Sequence, residues 1–564
     1  MKGRKSLSFY MVVLALLCVV ASSAFAAYSQ SGPKAKEILF PIYMDDEAIL
    51  LALLRGDVDI YPGLTQPADI KKLRANKNID LTMNMGYHMF YVALNTGKYP
   101  TSEKAFRQAF AHLVDRDKII LNLFEGYMLP LDSLVPQSSN YYYDGIKKYE
   151  YDLKKAAQIL DEAGFKMGPN GVRIDPKTGK DLEKIEFLTP LYEVAPTSAE
   201  LGKMLAQEAN KVGIPMVATP LDFNVILDKI DSFDYQLYAL AWSLSREPDH
   251  LYSFFHSSNA IEAGQNTTQT KVPEIDKALE DLLYATNRED FAKAANRSQE
   301  LLAEHVPYVT LYSRPYIDAF RTDKVKGYVP MSGFGAAQYQ NIWTTINIES
   351  IDGDDTVRWV LPQEPKTFNP CTATSAYDWD ILGRVMDNAF AYDPETVADM
   401  PNWVTEYQEG TWEYKDPETG KVVSNAAVTT YKIRKDVKWH DGTPFTAKDV
   451  KFSLEYLRDN QVPRYLSTTK EIVKVETPDD YTVVFYASTP GFLHVYDIQG
   501  LPLLKPEIWK DVKDWQAFQP WLEAHPTVEG LTKLVGIGPY VFKEYRVGEY
   551  VRLERFDDYW RLKL

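Results

Sequence analysis

The sequence predicts an α/β protein of two or three domains, and three observations point there. Strand-like apolar runs alternate with helix-periodic segments from Ile38 onward. Clusters of turn-forming residues separate them at short intervals. The chain has 564 residues, 45% of them hydrophobic, which is enough for several sizeable cores.

The elements follow in order. Ile38 to Tyr43 is a strand candidate, Asp45 to Arg55 a helix candidate stopped by Gly56, and Asp57 to Tyr61 the next strand. His88 to Asn95 is another strand. After Pro100, residues Ala105, Phe106, Ala109, Phe110, Leu113 and Val114 recur at helical spacing, so one face of that helix is buried. In Asp152 to Ala163, Asp152 is the N-cap, Ala156, Ile159, Leu160 and Ala163 share a stripe, and Gly164 is the stop. Gly168 to Gly179 carries turn formers on both sides of a short strand and predicts a hairpin. Ile348 to Asp355 is acidic and unpatterned, a seam before the strand-like Thr356 to Leu361. Asp416 to Gly420 predicts a hairpin turn, and Thr446-Ala-Lys-Asp449 a capping box before a helix with Val450, Leu454 and Leu457 on its apolar side.

The first residues predict export. A basic start, an apolar run from Phe9 to Val20 and the small residues Ala21 to Ala27 have the layout of a secretory signal cleaved after Ala26. The apolar run is about 12 residues, short of the roughly 20 that span a bilayer. Cys18 lies inside that run behind Leu16 and Leu17, so no lipid anchor is expected and the exported chain is expected to be soluble in the periplasm. Cys371 is then its only cysteine, and no internal disulfide forms. The formal charge of −16 becomes more negative once Lys2, Arg4 and Lys5 are removed, which speaks against a nucleic-acid partner. The 37 tyrosines and 11 tryptophans suit a protein that lines a large cleft with rings.

Enzyme readings find little support. The eight histidines form no His-x-x-x-His pair, and a single cysteine makes no thiolate zinc cluster. No Gly-x-Ser-x-Gly elbow or Gly-Lys-Ser/Thr phosphate loop is present, and Gly536-Ile-Gly538 lacks the third glycine of a dinucleotide fingerprint. No catalytic residue, metal ligand or cofactor is assigned, and His440-Asp441 reads as structural.

Several blocks carry a resemblance. The most specific is Lys438-Trp-His-Asp-Gly-Thr-Pro-Phe-Thr-Ala-Lys-Asp-Val-Lys-Phe452. Others are Gly536 to Phe542, Arg552 to Trp560, Leu53 to Ile60, Phe106 to Phe110 with Val114 to Arg116, and Ala156 to Phe165. Together they resemble the extracellular solute-binding protein family 5, the oligopeptide, dipeptide and nickel receptors of ABC importers, from about residue 36 to the end. The order differs from the family's: blocks that normally open the mature protein begin near Asp355, and those that normally close it lie before Ile348. The chain thus resembles a circular permutant, its old termini fused through residues 349–354.

The resemblance implies a bilobal periplasmic-binding-protein-like α/β fold of type II, with three subdomains, a hinge and a ligand cleft. Residues 27–96, 306–394 and 501–564 are expected in lobe I, 97–305 in lobe II, and 395–500 in an extra α/β subdomain of lobe I. Hinge crossings are expected near Tyr91 to Thr96 and Val306 to Tyr312. The implied function is a non-enzymatic monomeric receptor that captures a peptide or other small-molecule ligand and delivers it to ABC transporter permease subunits at the membrane.

Trp242, in Ala241-Trp-Ser-Leu-Ser-Arg-Glu-Pro-Asp249, is placed like the family's pocket-lining tryptophan, with Ser243, Ser245, Arg246 and Asp249 as neighbouring candidates. The family's peptide-gripping aspartate is replaced by Ser245, whose neutral hydroxyl cannot supply a charge-assisted bond to an ammonium. That departure gives weight to an oligosaccharide or other neutral ligand; Glu247 or Asp249 could substitute. Thr374, Tyr377 and Trp379 resemble the cleft-facing loop of the first lobe, where rings stack on a sugar or apolar group. Tyr61, Thr65 and the segment Met331 to Phe334 complete the candidates. The rival class is a secreted glycan-active hydrolase, which requires two carboxylates facing across the cleft.

Overall fold

The computed structural model describes residues 28–564 apart from Val194 and Ala263. The expected export signal lies outside the described residues.

The first lobe begins with β1 (Glu37–Pro41), α1 (Asp46–Arg55), β2 (Ile60–Tyr61), α2 (Pro67–Arg74) and β3 (Ile79–Met85). Helix α1 is built as its sequence predicts. The Asp45 carboxylate accepts the Ala48 N–H, and Gly56, at φ 84°, turns its own N–H back to the carbonyls of Ala52 and Leu53. The strand expected over residues 57–61 is shorter; just ahead of it Asp59 donates its N–H to the Arg358 carbonyl at 2.8 Å and its carboxylate accepts the Arg358 N–H at 2.7 Å.

The chain then enters the second lobe through β4 (His88–Leu94), α3 (Lys104–Ala111), α4 (Arg116–Phe124), β5 (Leu129–Pro130), α5 (Leu153–Glu162), β6 (Ile185–Pro190), α6 (Pro196–Lys211) and β7 (Met216–Leu221). It continues with α7 (Phe223–Asp231), β8 (Leu237–Ser243), α8 (His250–Phe255), α9 (Pro273–Leu283), α10 (Arg288–His305) and β9 (Tyr308–Ser313). The strands form one mixed sheet in the order β5-β9-β4-β8-β6-β7. Central β4 is buried on both faces. Val92 and Leu94 pack with Phe106, Phe110 and Leu205, while Met89, Tyr91 and Ala93 pack with Leu251, Phe255 and Leu302. Two-sided burial explains the unbroken apolar run in its sequence. The hairpin expected over 168–179 is a looser pair of bridges, Met167 to Arg173 and Ile174 to Asp181, around the buried Arg173 guanidinium.

The return to the first lobe supplies β10 (Pro315–Arg321), β11 (Val325–Lys326), α11 (Ile342–Asn347), β12 (Glu349–Ser350), β13 (Thr356–Arg358) and α12 (Ala376–Met386). A subdomain follows: β14 (Phe390–Tyr392), β15 (Asp399–Pro401), β16 (Val404–Lys415), β17 (Val422–Ile433), α13 (Ala447–Asp459), α14 (Leu466–Thr469), β18 (Ile472–Asp479) and β19 (Thr482–Ala487). Its sheet runs β16-β17-β19-β18, and Val450, Leu454 and Leu457 of α13 are buried against it as their spacing predicts. Helix α15 (Pro506–Trp509) and strands β20 (Tyr540–Arg546) and β21 (Tyr550–Arg555) close the chain.

Head and tail meet in one sheet. Strand β1 lies between β13, parallel with Glu37 opposite Thr356, and β21, antiparallel with Glu37 opposite Glu554. The Arg555 N–H donates to the Lys36 carbonyl at 2.8 Å, and the Lys36 ammonium reaches Asp355 at 2.7 Å. Ile38, Phe40, Val357, Val551 and Leu553 then share a core that no one of these segments makes alone.

Residues 91–94 and 308–312, where the hinge crossings are expected, lie inside the six-stranded sheet, and the chain passes between this sheet and that of β3 and β10 at residues 86–87 and again at Arg314. The apolar run of β4 continues the lobe's own core, so hydrophobicity does not mark the boundary. The crossings lie side by side: the Ser313 hydroxyl donates to the Gly86 carbonyl at 3.0 Å, and the His88 ring lies 3.2 Å from the Arg314 carbonyl. Gly86 leaves little room, since a Cβ there would stand 2.6 Å from the His88 ring.

Candidate functional site

Strand β8 carries the first group of candidates to the crossings. Its register sets Trp242 opposite Met89 and Ser243 opposite His88, at the hinge end of the sheet. The Trp242 ring stacks on Phe254 of α8 at 4.7 Å and 24°, half-buried, and its Nε1 has no partner among the described residues. The next residue but one, Leu244, donates its N–H to the Tyr87 carbonyl at 2.7 Å and pins the loop to the crossing.

Ser245 and Asp249 are both exposed and form one cluster. The Ser245 hydroxyl donates to the Asp249 carboxylate, with the Glu247 carbonyl 3.0 Å away. A carboxylate therefore stands beside the position where the sequence lacks one, supplied from four residues further on.

Arg246 is placed differently from a free ligand group. It is buried, and its Nη1 bonds Asp399 at 2.6 Å and the Val397 carbonyl at 3.2 Å, both in the first lobe. Its guanidinium lies over Tyr392 at 4.1 Å and Tyr496 at 4.8 Å and also pairs with Glu247. Arg288, the first residue of α10, takes the other Asp399 oxygen and the hydroxyls of Tyr407 at 3.0 Å and Tyr496 at 2.7 Å. Two second-lobe arginines thus clamp one first-lobe carboxylate. Burial alone would raise Asp399, but Arg246 and then Arg288 outweigh it and hold the carboxyl below its ordinary value. Nothing in the sequence joined Arg246 or Arg288 to Asp399, more than a hundred residues away.

The first-lobe candidates sit in two places, around the N-terminus of α12 and at the end of β2. Asn369 ties the first by donating to the carbonyls of Trp515 at 2.7 Å and Phe518 at 2.9 Å. Buried Asp378 ties it again by accepting the N–H groups of Lys366 at 2.7 Å and Ser375 at 3.2 Å. On that frame Thr374 is exposed and Tyr377 half-buried, whereas Trp379 is partly committed, donating to the Ala373 carbonyl at 3.3 Å under Arg464. The second leaves Thr65 exposed but buries Tyr61 in a core with Leu53 and Ile317, so Tyr61 is a packing residue and not a cleft ring. Asp318, missed in the sequence, organises this region: it is fully buried and accepts N–H groups from Gly63 at 3.0 Å, Ala336 at 2.8 Å and Ala337 at 3.0 Å. The segment 331–334 lies at the hinge, with Gly333 bridged to Gly86 and Phe334 edge-on to Tyr87 at 5.3 Å.

The structure therefore brings Trp242, Ser243, Ser245 and Asp249 together where β8 runs into α8, and Thr374, Tyr377 and Trp379 together where a loop runs into α12. It withdraws Arg246 and Tyr61 from solvent. His440 is structural: its ring lies 3.0 Å from the Gly538 carbonyl and accepts the Gly536 N–H at 3.2 Å. Asp441 pairs with Lys505 at 3.0 Å. Among the described residues, no group of three or more His, Cys, Asp or Glu side chains is arranged to hold a metal ion.

The molecule is a two-lobed α/β protein with paired crossing strands and candidate binding loops on both lobes. The chain belongs to the bacterial extracellular solute-binding proteins, family 5, whose middle-region model matches residues 19–262 and 400–564. The oligopeptide-binding protein AppA of Bacillus subtilis is 27% identical over 293 residues, 50% of this chain and 52% of the relative. The dipeptide-binding protein of Escherichia coli is 22% identical over 320 residues, 57% of each chain. The solved structure of AppA in complex with a nonapeptide matches at 24% identity and a TM-score of 0.42, covering 50% of this chain and 55% of that one. The chain spans about half the length of the relatives it matches. No described helix is long and apolar enough to cross a membrane.

Proposed function

We propose that the protein is an extracytoplasmic, non-enzymatic receptor of an ABC importer, which closes its lobes on an oligopeptide or similar extended solute and presents it to a membrane permease. The observation that carries this reading is the family match on both sides of the paired crossings. Related chains are an oligopeptide-binding, a dipeptide-binding and a glutathione-binding protein. Closure would follow from tighter binding to the closed arrangement. Asp249, hydrogen-bonded to Ser245, favours a peptide ammonium over a neutral sugar, because it restores a carboxylate at the Ser245 position.

Titrating peptide and oligosaccharide pools into the protein tests this. A bound peptide at about a hundredfold excess over Kd stabilises the fold by about 2.7 kcal/mol, with no product formed. Cleavage of any pool member, or stabilisation by oligosaccharides alone, would refute the peptide-receptor reading. Trp242→Ala is expected to weaken peptide binding by about 2 kcal/mol, roughly thirtyfold, the usual scale for truncating a ring at a binding surface. Calorimetric titration checks it, and unchanged affinity removes Trp242 from the site.

We propose further that the chain is a circular permutant of the family's order. The block order in the sequence supports this, as does β1 lying between β13 and β21. A gene reopened at Gly353, with Leu564 joined by a short linker to Lys34, is then expected to give a cooperatively melting protein with the same ligand response. Recovery of an unfolded chain would sink the idea.

A further inference from the structure

A cavity of about 350 Å³ lies in the second lobe where β4 ends and β9 begins, lined by Thr96, Arg107, Gln269, Lys271 and His305 among others. A seven-residue strand separates it from the crossings, a distance of roughly 20 Å, so it is not part of the interlobe site. Its volume is in the range that holds a small organic molecule.

The lining carries cations and no carboxylate. Arg107 is 4% exposed, and its hydrogen-bond partners are the carbonyls of His305 at 2.8 Å, Thr101 at 2.8 Å and Ser102 at 2.9 Å. Neighbouring acids are engaged elsewhere: Glu103 with Lys177 at 2.7 Å, Glu304 with Lys104 at 3.0 Å and Lys147 at 2.9 Å, and Glu274 with Arg297. Lys271 is exposed at the rim and makes no ion pair among the described residues. In a chain of formal charge −16, this leaves around one void a buried guanidinium that feels Glu103 but makes no ion pair with it, and an ammonium with no ion-pair partner among the described residues. Burial pushes Arg107 down to about 10, so it is cationic at neutral pH. The wall is also held in a costly form, with Gln269 at φ 56° and its amide packed over Gly97 and donating to Asn95 Oδ1 at 3.0 Å.

We propose that this cavity is a second binding site, taking a small organic anion whose phosphate or carboxylate group sits between Arg107 and Lys271. Charge-assisted bonds from guanidinium and ammonium suit that chemistry; the Thr96 hydroxyl in the lining already donates to the Thr268 carbonyl at 2.9 Å, so the two cations carry the recognition.

The test titrates inorganic phosphate and citrate separately into the full chain by calorimetry, with chloride adjusted to hold ionic strength constant. At least one probe is expected to saturate a single site with Kd of about 1 mM or lower. Lys271→Glu is expected to weaken it about tenfold or more, and Trp242→Ala to leave it unchanged. Lys271 is exposed, so its reversal does not put folding at risk as a change at Arg107 would. The proposal fails if neither probe saturates up to about 50 mM, if Lys271→Glu has no effect, or if Trp242→Ala abolishes binding. The last result would place the anion in the interlobe site.

Discussion

Replacing Asp399 with alanine is expected to destabilise the protein by about 3 kcal/mol and to loosen the contact between lobes. The carboxylate is the shared partner of Arg246 and Arg288, and its removal leaves a buried guanidinium, 5% exposed, with Glu247 as its one remaining acid among the described residues. Breaking a buried pair by deleting one partner costs about 3–5 kcal/mol, because the other charge stays desolvated. Glu247 offsets part of that, so the lower end applies. Arg288 contributes less, being 40% exposed and screened by solvent. Urea unfolding gives the loss, and small-angle scattering shows whether the lobes separate. A double-mutant cycle with Arg246→Ala is expected to show strong coupling. A loss below about 1 kcal/mol, or additive effects in the cycle, would mean that the clamp is no more than a surface pair.

The second large effect concerns pH. His440 is buried in the block Lys438 to Phe452, and burial pushes its imidazole down from 6.5 to about 4. The neutral ring is the form the fold accepts, since it bridges the Gly536 N–H and the Gly538 carbonyl. Above the unfolded pKa both states hold the ring neutral and its contribution is complete. As pH falls from about 6.5 to 4 the unfolded chain binds a proton that the folded one refuses, and about 3 kcal/mol of stability is lost. Asp59 and Asp380 work against this in the same window. Burial raises each to about 6, so each favours the folded state at low pH and withdraws that support as pH rises through 6. The His440 contribution is therefore read from the difference between the natural chain and His440→Gln. Their stability difference should narrow by about 3 kcal/mol from pH 7 to pH 4. A difference that does not change with pH would show that the ring is protonated in the fold or never titrates.

Much of the local structure was legible in the chain itself. The α1 cap at Asp45 and stop at Gly56, the Asp152 cap of α5, the turn at 416–420 and the buried stripe of α13 depend on residues a few positions apart, and short-range chemistry sets them. The two-sided burial of β4 is written in its run of apolar residues, but the same run hid the crossing, since hydrophobicity reports burial and not which lobe provides it. A motif marked Trp242 and Ser245 as candidates, three residues apart in the sequence. The motif did not show that Asp249 would fold back onto Ser245, nor that Arg246 would turn away to Asp399.

The sequence by itself determined the α/β class and the positions of many helices and strands, because spacing, caps and turn formers act within one or two turns of chain. Only the tertiary structure decided where the lobes part, which carboxylate faces Ser245, and that Arg246 and Arg288 converge on Asp399. It also set Arg107, His305 and Lys271 around one void, and seated β1 between β13 and β21. Those outcomes depend on contacts between residues tens to hundreds of positions apart, whose energies come from desolvation and charge pairing in a packed interior and leave no periodic trace along the chain.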